Sequence, residues 1–134
     1  MRILVFGLPG SGKTTLAKLI AEKTGYAWFN ADVVRSEYND WDFSEEGRSR
    51  QLQRMMLLSH SAENTICDFV APTGAVRRKF DADESIWMNT IQSGRFADTN
   101  ALFECHDNYS IEITTFDAEK WTDLIIKELK LCQK

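Results

Sequence analysis

Basic surplus, cysteine pairs and long apolar runs are all missing from this chain of 134 residues, and each absence excludes a class of protein. Lys and Arg number 16 against 20 Asp and Glu, giving a formal net charge of −4 and a pI near 5.2. General affinity for nucleic acid or for an anionic membrane is therefore not expected, and any polyanion must be held locally. The three cysteines, Cys67, Cys105 and Cys132, form an odd set without paired spacing, which argues against a disulfide framework and for a reducing compartment. Adjacent Cys105 and His106, with His60 elsewhere, offer no zinc spacing. No run approaches the ~20 apolar residues of a membrane span. The opening "MRILVFG" lacks the basic leader and apolar core of a secretory signal, so a cytoplasmic location is expected.

What is present reads as one α/β domain over residues 1–134, with no internal repeat or linker. Hydrophobic residues make up 43%, enough for a real core. "RILVF" (2–6) is a short apolar run closed by glycine, the pattern of a strand buried on both faces. Leu16, Leu19 and Ile20 recur at helical spacing from Lys13 to about Thr24, and Gly25 stops that helix. "YAWFN" (26–30) predicts a second strand, followed by a short helix "ADVVRSEY". Ser44 predicts an N-cap, with Glu45 and Glu46 in the first turn of a helix turning Leu52, Met55 and Met56 inward. "NTICDFV" (64–70), "SIWMNTI" (85–91) and "SIEITTF" (110–116) predict three further strands. Ala118 to Leu131 predicts a closing helix with Trp121, Leu124, Ile125 and Leu129 on one stripe. Such alternation implies a parallel sheet of about five strands covered by helices on both faces, with ligands beyond the carboxyl ends of the strands. The polar stretch 92–109 is too long for a plain connection and is expected to be a lid.

"GLPGSGKT" carries the chemistry. Gly7, Pro9, Gly10, Ser11, Gly12, Lys13, Thr14 and the following Thr15 satisfy GxxxxGK[ST], with the strand before and the helix after that the pattern requires. Glycines allow successive N–H groups to aim into one concavity, where an anion also meets the positive end of a helix dipole. Lys13 is placed to reach the β and γ phosphates of ATP and the Thr14 hydroxyl to ligate Mg²⁺. The loop serves kinases, ATPases and GTPases alike, so the acceptor must be read elsewhere.

Asp32 and Arg35 stand one helical turn apart and can face the same cleft. The carboxylate there could ligate Mg²⁺ or take a proton from an attacking hydroxyl, and the arginine could grip a phosphate or sulfate. Asp68, closing "TICD", is a second metal candidate, with a turn role as the alternative. Arg48 and Gln51 share a helix face behind Phe43, an arrangement suited either to a purine-containing substrate or to a solvated face with a hydrophobic staple. The tryptophans Trp28, Trp41, Trp87 and Trp121 are mostly core candidates.

With these residues in view, the chain resembles the adenylylsulfate kinase family, which phosphorylates the 3′-hydroxyl of adenosine 5′-phosphosulfate (APS) with ATP. The family's GxSGxGK[ST] is similar to "GLPGSGKT", its DGDxxR to "NADVVR", and its GFSxxDRxEN to "DFSEEGRSRQ". Its FISPY is similar to "FVAPT" and its FTGIDDPYE to "FADTNALFE". The resemblance implies a P-loop kinase of sulfate activation using ATP and Mg²⁺, with Lys13 and Asp32 catalytic and Thr14 with Asp32 (or Asp68) on the metal. It implies that Phe43 and Phe96 sandwich the APS adenine, that Arg35, Arg48 and Gln51 hold its phosphosulfate and ribose, and that Val70, Ala71 and Pro72 line the sulfate site. It leaves room for a homodimer, with neither nucleic acid nor membrane as partner. Asn30 replaces the family's first acid, Ala71 its serine, and only "QSGR" stands where the family has a longer basic lid segment.

Overall fold

The computed structural model describes residues 1–94, 100, 102–104 and 109–134. Five strands, β1 (Arg2–Gly7), β2 (Ala27–Asn30), β3 (Thr65–Asp68), β4 (Glu84–Met88) and β5 (Ile111–Ile113), form one sheet in the order β2-β3-β1-β4-β5. Every pairing is parallel. The helices whose bounds fall within the described residues are α1 (Lys13–Thr24), α2 (Ala31–Tyr38), α3 (Glu45–Ser59), α4 (Gly74–Phe80) and α5 (Ala118–Glu128).

β1 is central because both of its faces are apolar. Successive side chains of a strand point to opposite sides. Ile3 and Val5 accordingly join Leu16, Ile20 and Ile125 in one core layer, while Leu4 and Phe6 join Val34, Met55, Phe80 and Trp87 in the other. Each of the four is fully buried, worth roughly 2 kcal/mol of transfer free energy apiece. None of the helices among the described residues is long and apolar enough to cross a membrane.

The alternation of strands and helices is borne out, with corrections at the ends. The third strand stops at Asp68, not at Val70, because the chain then turns through Ala71 at φ 44°. The fourth stops at Met88, not at Ile91: Thr90 turns to donate to the Ser11 carbonyl (2.7 Å) and Asn89 to Glu112 (2.8 Å). The fifth keeps only Ile111–Ile113, the residues that β4 pairs. The closing helix ends at Glu128, and its buried stripe is Thr122, Ile125 and Ile126, leaving Leu124 exposed.

Helix α4 has no counterpart in the sequence reading. It is short, and its buried face is Phe80 with an arginine instead of an apolar row. The Arg77 guanidinium lies over the Phe6 ring (4.5 Å) and donates to the carbonyls of Ala71 (2.8 Å), Pro72 (3.0 Å) and Glu104 (2.7 Å). The first two bonds hold residues 71 and 72 beyond the carboxyl end of β3, and the third ties Glu104 to the same guanidinium. Most of the expected lid, including Arg95 and Phe96, lies outside the described residues.

Candidate active site

The turn between β1 and α1 is built to leave backbone donors open. Gly10 and Gly12 adopt φ of 86° and 95°, values that only glycine takes at no cost. Gly12 is the N-cap of α1 and supplies no side-chain bond, and the first turn carries no acid. The other four helices described above are capped by side chains, Asn30, Ser44, Thr73 and Asp117. The amino end of α1 thus presents unsatisfied N–H groups and positive dipole to whatever anion arrives. Within the turn the Leu8 carbonyl takes up the donors that phosphate would otherwise draw: Ser11 N–H at 3.1 Å and Lys13 Nζ at 2.9 Å. The Ser11 side chain is fully buried, its hydroxyl without a partner among the described residues, so Ser11 can meet a ligand through backbone only.

Parallel register places Asn30 directly beside Asp68, across β2 and β3. The Asn30 amide nitrogen donates to Asp68 Oδ1 (3.0 Å) and to Thr14 Oγ1 (3.0 Å), while its oxygen caps α2 by accepting from Val33 N–H. Trp28 Nε1 donates to Asp68 Oδ2 at 2.6 Å. Asp68 is only 2% exposed, and burial pushes its carboxyl pKa up, against the opposing pull of the Trp28 and Asn30 bonds. A carboxylate and a hydroxyl therefore meet at the foot of α1, a set of hard oxygens that suits Mg²⁺ when phosphates complete the shell. Among the described residues no group of three or more His, Cys, Asp or Glu could hold a metal alone. Asp32, the other metal candidate, is exposed on the first turn of α2 and faces the same cavity.

That cavity has a volume of about 770 Å³ and runs from the glycine turn to the α2–α3 loop. It gathers Pro9, Gly10, Gly12, Lys13, Thr14 and Thr15 at one end with Arg35, Phe43, Arg48 and Gln51 at the other, and Val70, Ala71 and Pro72 form a wall. Gly7 and Ser11 do not line it. Two of the acceptor-side residues are already engaged: Gln51 Nε2 donates to the Ala31 carbonyl (3.0 Å), and Arg35 Nη1 donates to the carbonyls of Asp40 (2.9 Å) and Asp42 (3.1 Å). Burial lowers the Arg35 pKa, and its guanidinium lies 4.3 Å from the centre of the Phe43 ring. Arg48 is partly exposed, and its guanidinium hydrogen-bonds no described residue.

Residues 40–43 are pinned from below. Arg50 pairs with Asp40 (3.1 Å) and Asp42 (2.9 Å), and Arg54 pairs with Asp40 (2.7 Å). Ser44, and then Arg50, pull the Asp42 carboxyl down to about 2. Because that folded value lies below the ordinary carboxylate pKa of about 3.9, the stabilisation is complete above about 3.9 and is lost as pH falls toward 2. The loop also sits directly on α3, since a Cβ at Gly47 would collide with the Asp42 carbonyl oxygen. Gly47→Ala gains about 1 kcal/mol in helix propensity but forces this backbone apart at about 3 kcal/mol. The collision wins, and a net loss of about 2 kcal/mol is expected in urea unfolding; an unchanged midpoint would show that the loop is not seated on α3.

Three features escaped the sequence reading. Trp28 ranks as a core residue by composition, yet its indole addresses the Asp68 carboxylate. Trp41, also grouped with the core candidates, is 50% exposed and lines the large cavity. A second hollow of about 230 Å³ lies on the far side of Gly12, between Thr15, Thr115, Phe116 and Trp121. Phe116, the aromatic that ends the predicted strand 110–116 and lies exposed beyond the observed one, was the available signal for it.

A parallel sheet in this order, with a glycine-rich strand-to-helix turn at its centre, defines the α/β fold of P-loop kinases. Residues 6–76 match the family model described as "AAA domain", and the chain belongs to that family. In fold it is similar to APS kinase from Mycobacterium tuberculosis, solved in complex with AMPPNP and APS. The TM-score is 0.78 and the identity 20%, with 96% of this chain and 97% of that one covered. A gluconokinase from Sinorhizobium meliloti 1021 is similar at a TM-score of 0.69 and 16% identity, with 96% and 91% covered. In sequence the chain is 32% identical over 84 residues to an adenylate kinase from Pyrococcus horikoshii, a stretch of 62% of this chain and 37% of that enzyme. The chain spans about a third of the length of the curated relatives it matches.

Proposed function

We propose that the chain transfers the γ-phosphoryl group of ATP to the 3′-hydroxyl of APS, giving 3′-phosphoadenosine 5′-phosphosulfate in the cytoplasm. One observation carries the reading: a single cavity joins an uncapped helix end bearing Lys13 to a wall of Phe43, Arg35 and Arg48, with Asp32 and Asp68 between them. That order fits a triphosphate at one end and an anionic acceptor with a ring at the other.

Lys13 releases the Leu8 carbonyl and follows the β and γ phosphates, while the N–H groups of the turn hold the triphosphate tail. Thr14 and Asp68 would hold Mg²⁺, which would supply charge neutralisation for the phosphates. Asp32, facing the cavity, orients the acceptor hydroxyl and takes its proton as the new P–O bond forms and the bond from the γ phosphorus to the bridging oxygen breaks, leaving ADP. Arg48 and Arg35 hold the phosphosulfate, Phe43 stacks on one face of the acceptor base, Gln51 backs the ribose, and Val70 to Pro72 border the sulfate. The adenine of ATP enters the hollow beside Phe116.

Similarity to gluconokinase and adenylate kinase supports a second reading, in which the same machinery serves another hydroxyl or phosphate acceptor. Incubation with labelled ATP and APS, AMP or gluconate separates the two. Label is expected on APS in preference to the others. Transfer to gluconate or AMP alone would replace the acceptor, and ATP binding without transfer to any acceptor would leave a nucleotide-binding module.

A further inference from the structure

Residues 40–43 alternate acid, aromatic, acid, aromatic, and the loop treats the two kinds oppositely. Both acids turn toward α3, where Arg50 and Arg54 hold them, and both of their carbonyls receive Arg35. Trp41 and Phe43 are left outward, 50% and 54% exposed, and both line the cavity. One face of Phe43 is already covered by Arg35. Trp41 has no ring, cation or hydrogen-bond partner among the described residues. Three arginines and the missing Cβ of Gly47 thus fix a four-residue loop whose one unengaged large side chain is an indole at the mouth of the site.

An exposed indole on a rigid support is a stacking surface, and it favours ligands with a π face. A polyol such as gluconate has no ring to lay against it. Arg48, on the same wall, favours an anion. We infer that Trp41 stacks on the planar heteroaromatic base of the acceptor and is the residue that selects a nucleotide over a sugar acid. The inference rests on the proposed acceptor and deepens it.

Calorimetric titrations of APS, AMP and gluconate in saturating Mg²⁺ and ADP, on the wild-type chain, Trp41→Ala and Trp41→Phe, test it. Trp41→Ala is expected to weaken APS and AMP by the same factor, about 10- to 100-fold, the size of one base–aromatic stack. Trp41→Phe restores most of that affinity, and the affinity for ADP with Mg²⁺ stays within twofold in both variants. Quenching of indole fluorescence by AMP, present in the wild type and absent in Trp41→Phe, reads the stack directly. APS bound equally well by wild type and Trp41→Ala overturns the role of Trp41 while leaving the acceptor assignment intact. Gluconate bound in place of APS and AMP overturns both.

Discussion

Lys13→Ala is expected to lower the rate of phosphoryl transfer from ATP to APS by ~10²-fold or more, the size of one lost contact to transition-state charge. In the resting site the ammonium donates to the Leu8 carbonyl at 2.9 Å. That bond contributes about 1 kcal/mol, and the carbonyl keeps the Ser11 N–H after truncation, so the melting temperature is expected to move by only a few degrees. Rate and stability therefore separate, and stopped-time assays beside a thermal melt check both. A variant turning over at the wild-type rate would remove Lys13 from the chemistry.

For Asp68→Asn the expected result is a 10- to 100-fold rise in the Mg²⁺ concentration needed for tight ADP binding, the usual scale for a lost metal-site contact. The stability change is expected to be small because two effects oppose. Substitution removes a buried carboxylate whose charge is costly at 2% exposure, but it also leaves one of the donors, Trp28 Nε1 or Asn30 Nδ2, facing an amide N–H₂. Each effect is about 1–3 kcal/mol, so they largely cancel. Trp28 sits on the carboxylate, which makes its fluorescence a second reporter during the Mg²⁺ titration. An unaltered Mg²⁺ dependence would move the metal site toward Asp32.

The layered fold was legible in residues whose neighbours in sequence are also their neighbours in space. Helix α2 covers "ADVVRSEY" as read, and Ser44 caps α3 because a local side chain accepts from Gly47 N–H. Strand ends were less legible, since apolar runs continue past the last ladder bond: "FV" after Asp68 is apolar but turns away at Ala71. Helix α4 was invisible because its buried face is built on Arg77, whose burial is made tolerable by carbonyls at 71, 72 and 104 that no window on residues 74–80 contains. The same limit hid Trp28 and Trp41, two tryptophans that composition treats alike and that the fold turns to different uses.

What the amino-acid order determined by itself is the glycine turn, its strand and helix, and the two-sided burial of β1, because dihedral freedom and hydrophobic period are local properties. Tertiary structure alone decided that Asn30 bridges Asp68 and Thr14 and that residues 40–43 face their acids inward and their rings outward. The first follows from parallel register between strands separated by a helical crossover. The second follows from arginines on α2 and α3 converging on one loop, an arrangement that exists only once the helices have packed.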